Sequence, residues 1–322
     1  MRLVSLLHDS LLAGPHDVEL VGDVAYVAGK WGAFSAVDVS DPKNPRMLDR
    51  VGDRVDNAQT VLPIGDVCLL GTNDLLAIDV SDPESLQELS RIEDDRIQRV
   101  NGMVRREHLV YAANKSHVID VFDVTVPAEP VLVDAFDTQP VGIESPHDVA
   151  LMGDWLITVD QKKDAALKVQ MYRVWDGGPV TCSRWEVVAT IDDPRLNGAN
   201  RVVVDGAFAY VACNYGDAVC AIEVSRDGAM TLRSVVGTCD VAPCGIELGA
   251  DSLYVGAASH VERFSLADPA NPLSVDRLRV FDHDRPRNPK QRGQGDAHDL
   301  EWRDGLLYVT GQNDDSLAVV RT

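Results

Sequence analysis

Three stretches of the sequence open with the same pair, a histidine followed by an aspartate. They are "GPHDVELVGDVAYVAG" at 14–29, "SPHDVALMGDWLITVD" at 145–160 and "DAHDLEWRDGLLYVTG" at 296–311. An imidazole can serve as an acid, a base or a metal ligand near neutral pH. His16, His147 and His298 are therefore the first candidates for chemistry in this chain.

Four interpretations of these histidines are open. Each His-Asp pair could cap the start of a strand, with the aspartate accepting hydrogen bonds from nearby backbone N–H groups. The three imidazoles could hold a divalent metal such as Zn, Mn or Fe, with Gln59 or Cys244 as a further ligand. They could instead do acid–base chemistry without a metal. The fourth interpretation is simple ligand binding.

The three stretches belong to a longer repeat. We call the residue six places before the turn that joins the first two predicted strands of each repeat the anchor of that repeat. The seven anchors are His16, Gln59, Asn101, His147, Asn200, Cys244 and His298. Successive anchors lie 42 to 54 residues apart, and a period in this range predicts four-stranded propeller blades.

Each repeat predicts four short strands. The third strand ends in an acidic turn with proline, such as "AVDVSDPKNP" at 36–45, where proline cannot donate to the ladder. The last repeat stops after its third strand, and a spare strand lies at residues 2–8. We therefore predict an all-β fold with a single domain over 1–322. It is a seven-bladed β-propeller whose last blade is closed by the N-terminal strand, so that no blade edge is exposed.

The third-strand motifs resemble those of a known family. "AVDVSDPKNPRML" (36–48), "LAIDVSDPESLQEL" (76–89) and "VERFSLADPANPLSV" (261–275) are similar to the LVIVD-repeat β-propeller proteins. The resemblance extends over essentially the whole chain and implies the propeller fold, while it implies little about function. Repeat four, with "VQMYRVWDGGPVTC" (169–182), and repeat five, with "AIEVSRDGAM" (221–230), depart from the motif.

A propeller places its first strands around a central channel, so the anchors should form a ring at one mouth of that channel. Loops on this face are free to vary on a rigid scaffold and often carry function. The three histidines come from repeats one, four and seven, and we expect their rings to converge across the mouth. The polar anchors Gln59, Asn101 and Asn200 are expected to contact a substrate.

The charge pattern points to an anionic substrate. The net charge of −21 opposes binding to nucleic acid and to anionic membranes, and no apolar run is long enough to span a bilayer. Six of the seven lysines nevertheless fall on predicted mouth loops: Lys30, Lys115, Lys162, Lys163, Lys168 and Lys290. The long connection at 283–296 adds Arg285, Arg287 and Arg292, and it could act as a lid.

Several other residues are candidates at the mouth. Arg201 could clamp a carboxylate or phosphate, and Trp31 and Tyr215 could wall the pocket. Glu144 is a candidate acid or base. Three glutamates, each three residues after an anchor, are also expected near the mouth: Glu19, Glu247 and Glu301.

The cysteines favour a reducing compartment. Six are present without a paired spacing, which predicts free thiols in the cytoplasm. Cys213 and Cys220 lie on paired strands, but the predicted register does not place them opposite one another, so we expect no disulfide.

These features favour an enzyme of the lyase or hydrolase class that acts on a small anionic substrate at the channel mouth. A divalent metal is an open option as cofactor, and no other cofactor is indicated. The alternative is a propeller scaffold that binds a ligand or a protein partner without catalysis. The fold itself does not decide between them.

Overall fold

The chain forms β-strands along nearly all of its described length. The computed structural model describes residues 1–52, 54–161, 168–173, 186–282 and 297–322. Helical structure in this part is confined to three short 3-10 helices, at Ser10–Leu12, Gln139–Val141 and Pro194–Leu196. Among the described residues, no helix has the length and apolar character needed to cross a membrane.

The strands follow one another in sets of four. An initial strand, β1 (Arg2–His8), precedes β2 (Pro15–Val21), β3 (Val24–Gly29), β4 (Ala33–Asp38) and β5 (Arg46–Val51). The second set is β6 (Thr60–Ile64), β7 (Val67–Gly71), β8 (Leu75–Asp79) and β9 (Gln87–Ile92). The third is β10 (Val100–Arg106), β11 (Leu109–Asn114), β12 (Val118–Asp123) and β13 (Val131–Asp137). The fourth is β14 (Pro146–Met152), β15 (Trp155–Asp160), β16 (Lys168–Arg173) and β17 (Val187–Asp192).

The remaining strands continue the pattern. The fifth set is β18 (Ala199–Asp205), β19 (Phe208–Cys213), β20 (Ala218–Val224) and β21 (Met230–Gly237). The sixth is β22 (Pro243–Gly249), β23 (Ser252–Ala257), β24 (His260–Ser265) and β25 (Leu273–Arg279). The chain ends with β26 (Ala297–Arg303), β27 (Leu306–Gly311) and β28 (Ser316–Arg321).

The sheets are arranged as a ring of blades. Six four-stranded sheets each use four consecutive strands, and the seventh sheet of the described residues has the order β1-β28-β27-β26. The first strand of each blade contacts the first strand of the next blade, and β26 contacts β2 to complete the ring. The predicted all-β propeller and its closure by the N-terminal strand are confirmed.

Acidic turns end the third strands, as the Asp-Pro motifs predict. The carboxylate of Asp38 accepts the N–H of Ser40 at 2.9 Å, Asp79 accepts that of Ser81 at 2.9 Å, and Asp123 accepts that of Thr125 at 2.8 Å. An aspartate that bonds the backbone two residues on makes the chain turn. The same short turn therefore begins the connection to the fourth strand in three different blades.

The hydrophobic core lies between blades. Phe34 of the first blade packs in one cluster with Leu70 and Ile78 of the second blade, and all three are fully buried. Val4 and Leu7 of β1 pack against a cluster that joins the last blade to the first. Each blade therefore buries its apolar faces only when its neighbours are present.

The described cysteines are free, as predicted. Cys213 pairs with Ala218 in the ladder, and Cys220 pairs with Val211, so the two cysteines are diagonal rather than opposite. Their sulfur atoms lie 3.5 Å apart, without a covalent bond.

Deleting residues 1–9 removes β1 and exposes the edge of β28. Val4, Leu6 and Leu7 lose their partly buried positions, and each contributes about 1–2 kcal/mol, so we expect the free energy of unfolding to fall by about 3 kcal/mol or more. Urea denaturation measures this loss, and light scattering should show association through the new edge. Leu3→Ala, at an exposed position of the same strand, is the control and should change little. A truncated chain as stable as the parent would contradict the closure.

Candidate functional site

Six of the seven anchors sit at an irregularity in the innermost strand of their blade, and Gln59, just before β6, is the exception. Pro15 pairs with Gly29 and Asp17 pairs with Ala28, which leaves His16 outside the ladder. Register shifts occur at the same place in β10, β14, β18, β22 and β26. A bulge of this kind re-aims a side chain. The three histidines and Asn200 are thereby turned from their own ladder toward the neighbouring blade.

The three histidines use this orientation to bind the next blade. The Nδ1 of His16 lies 2.8 Å from the carbonyl oxygen of Gln59, and that of His147 lies 2.8 Å from the carbonyl oxygen of Asn200. The Nδ1 of His298 lies 2.9 Å from the carbonyl oxygen of His16. A carbonyl can only accept, so each Nδ1 carries the hydrogen, and in the neutral ring Nε2 holds the lone pair.

The aspartate after each histidine binds the same neighbouring strand. Asp17 accepts the N–H of Val61 at 2.7 Å. Asp148 accepts the N–H of Val202 at 2.9 Å, and Asp299 accepts that of Val18 at 3.1 Å. Each His-Asp pair thus bonds one carbonyl and one N–H of the next blade, which we call a blade link. The capping interpretation therefore holds in an altered form, because the strand that is capped belongs to the next blade.

Burial keeps the three imidazoles neutral. His16, His147 and His298 are at most 8% exposed. Desolvation lowers the pKa of each ring well below its usual value, and the charges of Lys30, Arg201 and Lys115 lower these pKa values further. His16 and His298 are also in ring contact, with centroids 3.7 Å apart. Neutral rings with a free lone pair on Nε2 are therefore present at the mouth at pH 7.

Arg201 lies among the aspartates of the blade links. Its Nη2 donates to Asp17 at 3.1 Å, and its Nη1 lies 3.8 Å from Asp148. Burial raises the pKa of Asp148 to about 6, although the charge of Arg201 opposes the rise. A Cβ at Gly102 would lie 2.1 Å from the carboxylate of Asp148, so only glycine leaves room there. The guanidinium predicted to clamp a substrate is engaged by the protein's own carboxylates.

The three glutamates lie deeper than the sequence analysis expected. With the aspartates and Arg201 they line a cavity of about 160 Å³ that the histidines do not touch. Three residues of strand separate each from its anchor, which is about 10 Å along the channel. Burial and mutual repulsion raise the pKa of Glu19 and Glu247 well above the usual value. The expectation that Glu19, Glu247 and Glu301 are at the mouth is corrected.

Cations form the rim of the mouth. Lys30 and Lys115 are the first residues after β3 and β11, and Arg99 lies two residues before the anchor Asn101. All three are half-buried, and within the described ranges none makes a salt bridge. Desolvation and the charge of Arg99 lower the pKa of both lysines, that of Lys115 to about 7. We call Lys30, Arg99 and Lys115 the cationic rim.

Amide side chains connect this rim to the anchors. The Nζ of Lys115 donates to the Gln161 side-chain oxygen at 2.7 Å, and the Gln161 amide donates to Asn200. Asn200 donates in turn to the carbonyl oxygen of Cys244 at 3.1 Å. This last bond replaces the histidine half of a blade link, since it joins an anchor to a carbonyl of the next blade.

The other two polar anchors differ from each other. Gln59 turns its amide to the side-chain oxygen of Asn57 at 2.7 Å. Asn101 is fully buried, and neither of its side-chain polar atoms has a partner in the described structure. Buried amide groups are normally satisfied, so Asn101 has hydrogen-bonding capacity to offer a ligand or water.

Two aromatic side chains stand on mouth-face loops. Trp31 is 36% exposed and Tyr215 is 44% exposed. Each ring lies over a glycine that precedes an anchor by two residues, Gly14 or Gly198, where a Cβ would come within 2.6 Å of the ring. Both glycines also have a positive φ. The aromatic rings are held at the rim by close packing, as walls of a pocket would be.

Glu144 does not join this arrangement. Glu144 is exposed, and its backbone N–H donates to Asp160 at 3.0 Å. Arg292 and the loop at 283–296 lie outside the described residues. The sequence analysis did not select Arg99 and Gln161 as site residues. Gln161 occupies the same place after a second strand as Lys30 and Lys115, so an alignment on that place would have found it.

The charges on the described part of the mouth disfavour a divalent metal. The described residues contain no group of three or more His, Cys, Asp or Glu side chains suited to hold an ion. The described charges that act on the imidazoles from the rim and the channel are cations, those of Lys30, Lys115 and Arg201. A metal cation would be repelled by these lysines and Arg201.

Comparisons with known proteins agree on the fold. The LVIVD repeat matches residues 15–53, 69–94 and 198–232, which confirms the motifs at 36–48 and 76–89. The third motif, at 261–275, lies outside the matches. Repeat five lies within them, so the expectation that repeat five departs from the family is corrected. A search of curated proteins finds no match.

Two solved structures illustrate the similarity. The computationally designed protein Ika8 aligns over 100% of this chain and 99% of its own, with a TM-score of 0.66 and 8% identity. A Bacteroides fragilis protein, provisionally named a 6-phosphogluconolactonase, aligns over 83% of this chain and 84% of its own. Its TM-score is 0.67 and its identity is 14%. At these identities the similarity concerns the fold alone.

Replacing Arg201 by methionine leaves Asp17 and Asp148 buried without their cation. We expect a loss of about 3–5 kcal/mol in the free energy of unfolding at pH 8. The loss should be smaller at pH 5, because Asp148, whose pKa is about 6, is then mostly protonated and needs no cation. Urea denaturation at the two pH values measures the difference. Arg106→Met, which breaks a salt bridge to the exposed Asp154, is the control, and equal losses at both pH values in Arg201→Met would contradict the pairing.

Proposed function

The chain is a β-propeller built on LVIVD repeats, and we propose that its channel mouth is the active site of an enzyme for small anionic substrates, of the hydrolase or lyase class. One observation carries this proposal. The cationic rim has no carboxylate partner among the described residues, and it faces neutral imidazoles with a lone pair on Nε2.

The rim favours an anion because half-buried cations without counterions are costly. A carboxylate or phosphate of the substrate would provide the missing charge through charge-assisted hydrogen bonds from Lys30 and Arg99. The unpartnered amide of Asn101 would add a neutral donor. Since the whole chain carries −21, a cationic mouth is a local exception to its surface charge.

Binding and catalysis are coupled through the pKa values of the histidines. Desolvation is the largest cause of the lowered pKa of the imidazoles, and the charges of Lys30 and Lys115 lower this pKa further. A bound anion neutralises these charges and raises the imidazole pKa toward neutral pH, where a general base is most effective. Nε2 then takes a proton from water, for a hydrolase, or from carbon, for a lyase. Substrate binding would in this way activate the base.

The comparisons support this proposal in a limited way. The structure from Bacteroides fragilis carries the name of an enzyme that hydrolyses a lactone, and it shares this fold at 14% identity. We take from it that a hydrolase is compatible with the architecture. The choice between a hydrolase and a lyase rests on this chain's own residues.

A scaffold that binds without catalysis is the second candidate. Four large apolar side chains are exposed on segments of the mouth face: Leu11, Trp31, Tyr215 and Val241. Exposed apolar residues grouped on one face are typical of a surface that binds a partner.

The cytoplasmic location and the lack of nucleic-acid or membrane partners stay predictions from composition and charge.

The test separates binding from chemistry with two substitutions. Wild-type protein is screened against carboxylated and phosphorylated esters and lactones, and its affinity for inorganic phosphate is measured by calorimetry at constant ionic strength. Lys30→Gln should weaken phosphate binding about tenfold, because a charge-assisted bond worth about 1.5–3 kcal/mol is lost. His147→Asn should keep phosphate binding and lower kcat by about 10²–10⁴-fold.

Asparagine is the informative substitution at His147. Asn200 already bonds a carbonyl of the next blade in this protein, so His147→Asn can retain the bond to the next blade while it removes the base. His147→Ala loses both, and Lys43→Gln, at an exposed position, is the control for charge. Full activity in His147→Asn would contradict the catalytic role of this imidazole. Phosphate binding without turnover of any compound would favour the scaffold.

A further inference from the structure

Lys115 has the surroundings of an amine that reacts with carbonyl compounds. It follows β11 directly and is half-buried at the mouth, where its Nζ donates to Gln161 at 2.7 Å. Gln161 is held by Asn200. A neutral amide therefore fixes the position of the amine, and no carboxylate of the described chain holds it as an ammonium ion.

The charges around Lys115 favour the free amine. Arg99 and Lys30 are the charged groups that act on it, and both are cations. Burial and these two cations lower the pKa of Lys115 to about 7. Lysines become nucleophilic when they are desolvated or placed beside another cation. The free amine is therefore more accessible at neutral pH for Lys115 than for an exposed lysine.

We propose that Lys115 forms an imine with the carbonyl carbon of an anionic substrate, of the 2-oxo acid or aldehyde acid class. This inference rests on the proposed function, since the cationic rim must hold the substrate's anionic group. Lys30 and Arg99 bind the carboxylate, and the carbonyl beside it is presented to Nζ. It extends the function to a covalent step at a lysine whose position on a mouth loop predicted only attraction of an anion.

The step balances without a further reactant. The Nζ lone pair forms a bond to the carbonyl carbon, and the electrons of the carbonyl double bond move to its oxygen. One proton moves from nitrogen to that oxygen, then a second follows as water leaves and the C=N bond forms. His147 is the group assigned to carry these protons, because Asn200 joins it to Lys115: Asn200 accepts from His147 Nδ1 and from Gln161, which accepts from the Nζ of Lys115.

An imine would direct the enzyme toward lyase chemistry. Its protonated form withdraws electrons from the neighbouring carbon, so that a proton or a carbon group on that carbon leaves more easily. A neutral imidazole beside the imine can accept the proton. The products would be an anionic carbonyl compound and, in a cleavage, a second fragment.

Borohydride trapping tests the inference on the wild-type protein. The protein is incubated at pH 7 with pyruvate or glyoxylate and sodium borohydride, and the reduced adduct is located by peptide mass spectrometry. We expect Lys115 to be labelled at least tenfold faster than the exposed Lys43 in the same chain. Acetate, an anion without a ketone or aldehyde, should give no adduct, and inorganic phosphate should slow the labelling.

Several outcomes would overturn the inference. Labelling of Lys115 no faster than Lys43, or labelling chiefly at Lys30, removes the assigned role. Lys115→Arg keeps the positive charge and should lose the adduct, while phosphate binding persists. Phosphate binding without an adduct defeats the imine alone, whereas the loss of both in the wild type defeats the anion site as well.

Discussion

The rest of the structure depends on the hydrogen bonds that a His-Asp pair makes to the next blade. The ring nitrogen bonds one carbonyl and the carboxylate bonds one N–H, both on the adjacent innermost strand. One such link, from His298 and Asp299 to β2, lies at the junction where the ring closes. Because the bond to the carbonyl uses Nδ1, it also decides which nitrogen remains for chemistry. The same interaction therefore supports the propeller and prepares a neutral base.

Charge is ordered along the channel. The cationic rim and the neutral imidazoles lie at the mouth, Arg201 and the link aspartates lie below them, and the glutamates line the cavity beneath. An anion attracted to the rim meets carboxylates if it moves further in. Under the proposed function, this arrangement would confine a small anionic ligand to the level of the histidines, beside Nε2 and the amine of Lys115.

Much of the fold could be predicted from the sequence, because the same four-strand pattern recurs at similar intervals along the chain. The anchors, the acidic turns and the spare strand at 2–8 gave the blades and their closure.

The site was predicted less well. His16, His147 and His298 were predicted from the repeat, but their partners depend on bulges that turn them to the next blade. Arg201 meets Asp17 from a distant repeat, and the depth of the glutamates follows from strand geometry. The cationic rim joins residues of separate blades, which no local pattern reveals.

The central claim is that the three histidines are neutral, carry their hydrogen on Nδ1 and leave Nε2 free. Two-bond ¹H–¹⁵N correlation spectra of histidine-labelled protein read the tautomer and the charge of each ring, with the exposed His8 and His108 as references. The account predicts the Nδ1–H tautomer for His16, His147 and His298 at pH 7. These rings should stay neutral as the pH falls well below the usual value of about 6.5. Rings that carry hydrogen on Nε2, or that gain a proton near pH 6.5, would contradict it.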